Sequence, residues 1–347
     1  MVLTKGTTIQ VDHEVGPHPL ISLVKTMYTF QQKHFEKMMN IPLTEAMLFG
    51  IASGPGFIYR TDKLMHQAIG TSSLDYLQGL ATSTGTWINR RFSMNEEQAV
   101  LEMKKYLAVW KTPILVTVPQ SLFSDESSVQ KDEENFFSDT RVVEQPVSKC
   151  LVISFSDSVV ECLIHSKKES VLIDSADFQQ SLSDLSNRWV DIIFPSADVS
   201  ADWLYEHSIS RHIQQWVSGW KTYGNAPGNM EDFFKAFMKQ PDPELWEDTF
   251  AYADNLGGDF GRGWYAEFLG KASIERQCYV LEEASRSYIA LTKLWVEYIT
   301  KMRSGIVDSK LSNAILLLEK ESITLLASRY GKGDTVNDYC FNHKKTL

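Results

Sequence analysis

The chain has 347 residues, an apolar fraction of 43% and a formal net charge of −10. This length is enough for two domains with separate cores. The negative charge and the lack of a long run of Lys and Arg argue against nucleic acid as a partner. With no stretch of about 18 consecutive apolar residues, we expect no membrane span.

The N-terminus and the cysteines suggest a cellular location. Residues 1–6 lack the apolar stretch of a secretory signal peptide. Cys150, Cys162, Cys278 and Cys340 are widely spaced and form no CxxC pair. The cysteine spacing is typical of free thiols in a reducing compartment. Together with the N-terminus it leads us to expect a cytoplasmic protein. A bridge between Cys150 and Cys162 is an alternative, because both lie on neighbouring strand-like segments.

Helices are predicted first along the chain. Apolar residues recur at helical spacing over 18–39, a short helix is predicted over 46–51, and a capping signal at Asn95 begins another that reaches Trp110. The short helix leads into the glycine-rich stretch 50–56. This stretch is not a dinucleotide fingerprint, since it follows a helix rather than a strand. It is either a tight turn or a backbone that passes close to a substrate or a neighbouring helix.

The pattern then changes to that of strands. Four segments rich in β-branched residues are predicted strands: 113–118, 150–155, 159–164 and 170–173. Between the first two, residues 121–142 form a long acidic loop. The sequence does not indicate whether this loop closes over a ligand.

After about residue 195 the strand pattern stops. Six further helices are predicted, over 201–223, 230–238, 244–253, 264–272, 274–302 and 306–330. Strands followed by a run of helices are typical of an α+β domain joined to an all-α domain. We place the boundary near Pro195 to Ser200, which gives domains 1–197 and 198–347.

Residue patterns alone do not identify a catalytic site. Nucleophilic acyl transfer needs a thiol or hydroxyl, a histidine and an orienting acid or amide, yet no histidine lies in a diagnostic motif. The GxSxG, HExxH and Walker patterns are absent, and we expect no cofactor or metal. His207 and His212 are five residues apart, so we interpret them as partly exposed helix residues rather than metal ligands.

Two stretches of the sequence together resemble one known family. The first reads GPHPLISLV from Gly16 and LTEAMLFGIASGPGFIY from Leu43, and the second reads GGDFGRGWYAEFL from Gly257. They are similar, in this order, to the N-terminal and helical domains of the butirosin biosynthesis protein H-like family. The resemblance covers about residues 14–300.

This resemblance implies a fold and an activity. The fold is a papain-like (cysteine-peptidase-like) α+β domain with a mostly antiparallel sheet, followed by an all-α domain. The activity is acyl transfer, in secondary-metabolite biosynthesis, from an acyl carrier protein thioester to an amine-bearing small molecule. A cysteine thiolate attacks, a histidine is the base, and an acidic residue orients the histidine. A thiol at a helix N-terminus has a lowered pKa, which suits this chemistry.

The chain differs from the family at the positions of the catalytic residues. The family's His-Cys pair falls on His18 and Pro19; proline has no reactive atom, although it suits the first position of a helix. The family's histidine falls on Lys149 or Cys150, and only the acidic residue is matched, by Asp174. A rearranged catalytic site would use Cys150 with His18 and Asp174. The alternative for Cys150 is a small apolar residue buried at a strand start.

The family motifs also indicate candidate substrate-binding residues: Gly54, Gly56, Phe57, Tyr59 and Arg262. Arg262 lies between two glycines, where an arginine pairs with a buried carboxylate at a domain interface or reaches an anionic ligand. We favour the pairing with a carboxylate at a domain interface over the binding of an anionic ligand. Ser22, one turn into the first helix, is a second candidate nucleophile or an ordinary helix residue.

Two functions from different classes follow. The first is an acyl- or aminoacyl-transferase with a non-standard site, which takes its acyl group from a carrier-protein thioester and passes it to an amine. The alternative is a catalytically silent homologue, a pseudoenzyme that binds a carrier protein, a metabolite or an active paralogue. Cysteine hydrolase activity is the least favoured function, because it needs both the cysteine nucleophile and the histidine base that are missing from their family positions. The sequence does not identify the acyl donor or the acceptor. It also leaves the oligomeric state open, and a homo-oligomer is one of the alternatives.

Overall fold

The computed structural model describes residues 8–34, 43–52, 54–61, 66–71, 76–92, 95–123, 147–184, 189–194, 200–218 and 225–331. The chain forms two units. The sheet unit consists of Met1–Leu43 and Gly85–Asp198, and the helical unit of Thr44–Thr84 and Val199–Leu347. The segment 44–84, which the predicted domain division assigns to the first domain, therefore groups with the helices. Most of the predicted boundary and most of the acidic loop lie outside the described residues.

The described elements make the chain a mixed α+β protein. The strands are β1 (Pro55–Thr61), β2 (His66–Thr71), β3 (Trp87–Phe92), β4 (Ile114–Pro119), β5 (Val147–Phe155), β6 (Val159–Leu163), β7 (Val171–Asp174) and β8 (Trp189–Phe194). The helices are α1 (Pro19–His34), α2 (Glu45–Ala52), α3 (Tyr76–Thr84), α4 (Glu96–Trp110), α5 (Ser175–Asp184), α6 (Ala201–Ser218), α7 (Ala226–Lys239), α8 (Glu247–Asn255), α9 (Arg262–Glu275), α10 (Tyr279–Arg303) and α11 (Ser309–Tyr330). Short 3₁₀ turns follow β4 and α7.

The sheet unit is built on a six-stranded sheet in the order β3-β8-β4-β5-β6-β7. Each pair of neighbouring strands is antiparallel, as predicted. The four predicted strands correspond to β4, β5, β6 and β7. A bulge at Ile153 interrupts the pairing of β5 with β6, since Val152 pairs with Cys162 and Ser154 with Glu161.

This bulge decides which side chains of β5 share a face. Phe155 pairs with Val160, two residues before Cys162 on β6, so Phe155 and Cys162 lie on one face. The α4 and α5 helices cover this face. The Phe178 ring of α5 lies edge-on at 5.7 Å from the Phe155 ring, and Lys104 Nζ of α4 lies 5.0 Å from its centroid.

The N-terminal segment runs along the opposite face. Thr8 Oγ1 donates to Glu161 Oε2 at 3.3 Å; Glu161 neighbours Cys162 on β6 and so points to the other side. The His13 ring joins this segment to both β6 and α1, with Nε2 2.9 Å from the Ile164 carbonyl and Nδ1 2.9 Å from Thr26 Oγ1. We therefore place α1 on the face opposite α4 and α5.

The helical unit has an aromatic core. The long helix α10 supplies Trp295, whose ring stacks on Phe57 of β1 at 5.3 Å and on Phe234 of α7 at 5.6 Å. Asn225 caps α7 and Asp308 caps α11 through side-chain hydrogen bonds, as is typical of helix starts. The predicted helices 264–272 and 274–302 correspond to α9 and α10, but the break between them lies at 276–278 rather than at 273.

Among the described helices, we find no segment that is both long and apolar enough to cross a membrane.

Candidate functional site

His18 is the N-cap residue of α1 and lies buried at the helix start. Its Nδ1 accepts a hydrogen bond from the Ile21 N–H at 3.3 Å, and its carbonyl accepts from the Ser22 N–H at 3.0 Å. Pro19 is the first residue of the helix, as predicted. His18 Nδ1 thus serves as an acceptor for an N–H group at the start of α1.

Cys150 points to the face that α4 and α5 cover. It is two residues from Val152, which pairs with Cys162, so the two cysteines share that face. Both side chains are fully buried and both thiols are free. Burial raises the pKa of the Cys162 thiol, and a hydrogen bond with Cys150 raises it further. The described cysteines thus match the expectation of free thiols, and Cys340 lies outside the described residues.

The sheet therefore separates Cys150 from α1, whose N-terminus carries His18. A nucleophile and its base must lie within hydrogen-bonding reach of one another. The structure does not bring Cys150 and His18 together in this way. The surroundings of Cys150 instead match the alternative interpretation, in which it is a small apolar residue buried at a strand start.

Asp174 lies at the opposite end of the sheet from the α1 N-terminus. It is exposed, it pairs with Val159, and its Oδ1 accepts from the Ala176 N–H at 2.8 Å to cap α5. The α1 end of the same strands is marked by the hydrogen bond from the Gly16 N–H to the His165 carbonyl. Val159 begins β6, and His165 follows the end of that strand at Leu163, so the length of the strand, roughly 13 Å, separates the two ends. Asp174 is thus a helix cap and is not placed to orient His18.

Lys149 faces the α1 side of the sheet. It pairs with Thr117 across β4 and β5, and its Nζ donates to Thr117 Oγ1 at 2.9 Å. Its side chain is only 2% exposed. Of the two positions matched to the family's histidine, Lys149 is the one that points toward α1.

The predicted substrate-binding residues all belong to the helical unit, and its core takes up most of them. Gly54 has a left-handed φ of 63°, and a Cβ there would lie 3.0 Å from His212 Nδ1 and 3.1 Å from Tyr265 Cε2. A Cβ on Gly50 would overlap the ring of Phe268. The glycines let the backbone approach α6 and α9 closely. Of the alternatives for the glycine-rich stretch 50–56, the structure therefore shows a backbone that passes close to neighbouring helices.

The aromatic residues after these glycines also pack inside the helical unit. Phe57 is buried, and its ring lies edge-on at 5.1 Å from Phe233. Gly56 precedes it in the buried half of β1. Tyr59 is half-buried; its ring stacks on Trp246 at 6.3 Å, and desolvation raises its pKa to about 12. These contacts assign the residues to packing.

Arg262 pairs with a buried carboxylate, as the sequence predicts. Its Nε donates to Glu319 Oε1 at 2.7 Å and its Nη1 donates to the Phe260 carbonyl at 3.0 Å. The guanidinium carbon lies 5.3 Å from the centroid of the Trp295 ring. The predicted location at a domain interface is wrong for this pair, because both partners are in the core of the helical unit.

Sequence reasoning missed a group of polar side chains around this ion pair. We define the buried polar cluster as His212 of α6, Arg262 and Tyr265 of α9, Tyr288 of α10 and Glu319 of α11. The prediction that His212 is partly exposed is wrong, since it is 1% exposed. Burial, with the charges of two arginines, lowers its pKa to about 3. The apolar spacing around His212, with Ile209, Ile213 and Trp216 on the same helix, is the signal that points inward.

Cys278 is a second feature that the sequence did not single out. It precedes α10 as its N-cap residue, and the Tyr330 hydroxyl donates to its Sγ at 3.7 Å. Burial alone would raise the pKa of this thiol, but hydrogen bonding from the Leu281 N–H, from Tyr330 and from Val280, with the charge of Arg329, lowers it. Cys278 therefore has more thiolate character than an ordinary cysteine.

The described residues hold no group of three or more His, Cys, Asp or Glu side chains arranged to bind a metal ion. Comparisons with models of known protein families and with curated proteins find no match to this chain.

Proposed function

We propose that the chain is a catalytically silent homologue of the papain-like acyltransferases that it resembles, and that it acts by binding a partner. One observation carries the proposal. Cys150 is a thiol of the sheet unit that could replace the missing nucleophile, and it faces α4 and α5 whereas His18 caps α1 on the other side.

The arrangement of the sheet unit supports a papain-like origin. A helix that begins at a proline packs on an antiparallel sheet, and β5 carries Lys149 at the family's histidine position on the same side. In this proposal Pro19 and Lys149 stand where the family carries its cysteine and its histidine. Lys149 Nζ is held by Thr117, its cross-strand partner on β4.

The partners we propose are those of the family: a carrier protein, an amine-bearing metabolite or an active paralogue. A cytoplasmic location agrees with the free thiols of Cys150, Cys162 and Cys278. Acyl transfer without a covalent intermediate is the competing function, because proximity alone accelerates aminolysis of a bound thioester.

A turnover assay separates the two. The full chain is incubated with a small acyl thioester and a primary amine, and the amide product is quantified by mass spectrometry. We expect the wild type, Cys150→Ala and His18→Ala to form amide only at the rate of the buffer. Sustained amide formation that Cys150→Ala abolishes would overturn the proposal and establish the rearranged dyad. Sustained formation that survives both substitutions would instead establish proximity-driven transfer.

A further inference from the structure

The α4 helix carries apolar side chains on the face that points away from the sheet, a face with no role in the proposed function. The inner face is buried and consists of Ala99, Val100, Met103 and Leu107. Outside it, Leu101 is 62% exposed, Val109 is 60% exposed and Trp110, at the helix end, is 56% exposed. Single exposed apolar side chains are ordinary on a soluble protein, whereas a group of them on one helix is typical of an interaction surface.

Two of these apolar residues belong to a row of exposed side chains at intervals of four. The row, which we call the α4 ridge, consists of Glu97, Leu101, Lys105 and Val109. Side chains spaced by four residues form a ridge along the surface of a helix, and the interdigitation of two such ridges is the commonest way in which helices pack in globular proteins. The α4 ridge therefore has the shape of a surface that receives another helix.

The charges of the α4 ridge show what this other helix must carry. Neither Glu97 nor Lys105 forms an ion pair with any residue in the described parts of the chain, whereas the neighbouring Lys104 pairs with Asp157 at 2.8 Å. Glu97 and Lys105 cannot neutralise one another, because eight residues of helix separate them by about 12 Å. A complementary helix therefore carries a cation and an anion at the same spacing, in the reverse order.

The same helix of a second copy has this arrangement. Leu101 lies midway in the ridge, four residues after Glu97 and four residues before Lys105. Two copies of α4 that pack antiparallel about a two-fold axis beside Leu101 place Glu97 of each copy next to Lys105 of the other. The two Leu101 side chains then cover one another between the ion pairs. A parallel arrangement would instead bring like charges together, which is unfavourable.

We propose that two copies of this chain associate through the α4 ridge, with their α4 helices antiparallel and a Leu101 contact flanked by two Glu97–Lys105 ion pairs. One face of a 15-residue helix is a small contact compared with the standard protein interface of about 1,600 Å². Exposed ion pairs add little affinity and mainly determine orientation and register. The dimer is therefore weak, and it weakens further as the salt concentration rises.

Sedimentation velocity of the full chain tests the association. As the chain concentration rises from about 5 μM to about 500 μM, we expect the sedimentation coefficient to increase from that of a monomer toward that of a dimer. Leu101→Ala should weaken association about tenfold, because each dimer loses two apolar side chains from its centre. The matched control Ile274→Ala shortens a 78% exposed side chain of α9 and should associate as the wild type does. A wild type that stays monomeric throughout, or a Leu101→Ala variant that associates equally well, would overturn the proposal.

Exchange of the charges tests the antiparallel arrangement. Glu97→Lys and Lys105→Glu should each weaken association about tenfold, because each substitution brings like charges together at both ends of the contact. The double variant should recover most of the association, since the exchanged charges pair again, and this recovery also shows that the single variants are not merely unfolded. Lys293→Glu, which changes an exposed lysine of α10, controls for net charge and should associate as the wild type does. A double variant as weak as the single variants, or association that none of these substitutions changes, would overturn the proposal.

Discussion

Lowering the pH from 7 to 5 should destabilise the helical unit through His212. Burial against Arg262 and Arg211 lowers the pKa of His212 from its ordinary value of 6.5 to about 3 in the folded chain. In the unfolded chain the imidazole returns to its ordinary pKa. At pH 5 the unfolded state therefore binds a proton that the folded state does not bind. Stability is fully present above about pH 6.5 and is lost as the pH falls toward 3.

The magnitude follows from these two pKa values. Between pH 7 and pH 5 the unfolded imidazole changes from mostly neutral to almost fully protonated, while the folded imidazole stays neutral. The free energy of unfolding should fall by about 2 kcal/mol over this interval from His212 alone. His212 is 1% exposed, so solvent screening reduces this effect little.

The assay is urea denaturation of the full chain at both pH values, followed by tryptophan fluorescence. Other histidines also titrate, so the informative quantity is the difference between the wild type and a variant. In His212→Gln, which keeps an N–H for Tyr288, the pH-dependent loss should be about 2 kcal/mol smaller than in the wild type. The control His34→Gln alters an exposed histidine of α1 and should retain the full loss. An unchanged pH dependence in His212→Gln would refute the burial argument.

Three other predictions concern thiols, glycine packing and the ion pair. A maleimide should label Cys278 before Cys150 in the folded chain, as peptide mapping over time would show, because Cys278 has the lowered pKa; equal rates would contradict this. Gly50→Ala should lower the free energy of unfolding by about 1–3 kcal/mol, because its methyl group overlaps an aromatic ring; an unchanged urea midpoint would contradict the packing. Arg262→Met or Glu319→Met alone should cost about 3–5 kcal/mol. The double variant should cost less than the sum, and strict additivity would show that the pair does not interact.

Local patterns in the sequence predict much of the fold. The β-branched runs predict β4 to β7, and Asn95 predicts the start of α4, because these signals depend on a few neighbouring residues. The break before α10 was predicted at residue 273 but lies at 276–278, since Gln277 adopts a left-handed φ of 47° without being glycine. The grouping of 44–84 with the helices was also missed, because that grouping depends on contacts distant in sequence.

The candidate site was less predictable for a related reason. Simple alternation along β5 would place Cys150 and Phe155 on opposite faces, and the bulge at Ile153 reverses this. No local residue pattern signals the bulge, so the face of Cys150 could not be read from the sequence. The carboxylate partner of Arg262 was predicted from its glycine neighbours, but Glu319 lies 57 residues further along the chain.

The most direct test of the central claim is whether the folded chain forms an acyl-enzyme on Cys150. The full chain is incubated with a small acyl thioester, digested and mapped by mass spectrometry, with chain unfolded in urea as the positive control. The account predicts acylation of Cys150 in the unfolded chain and none in the folded chain, because α4 and α5 cover its face of the sheet. An acyl group on Cys150 of the folded chain that passes to an added amine would contradict it.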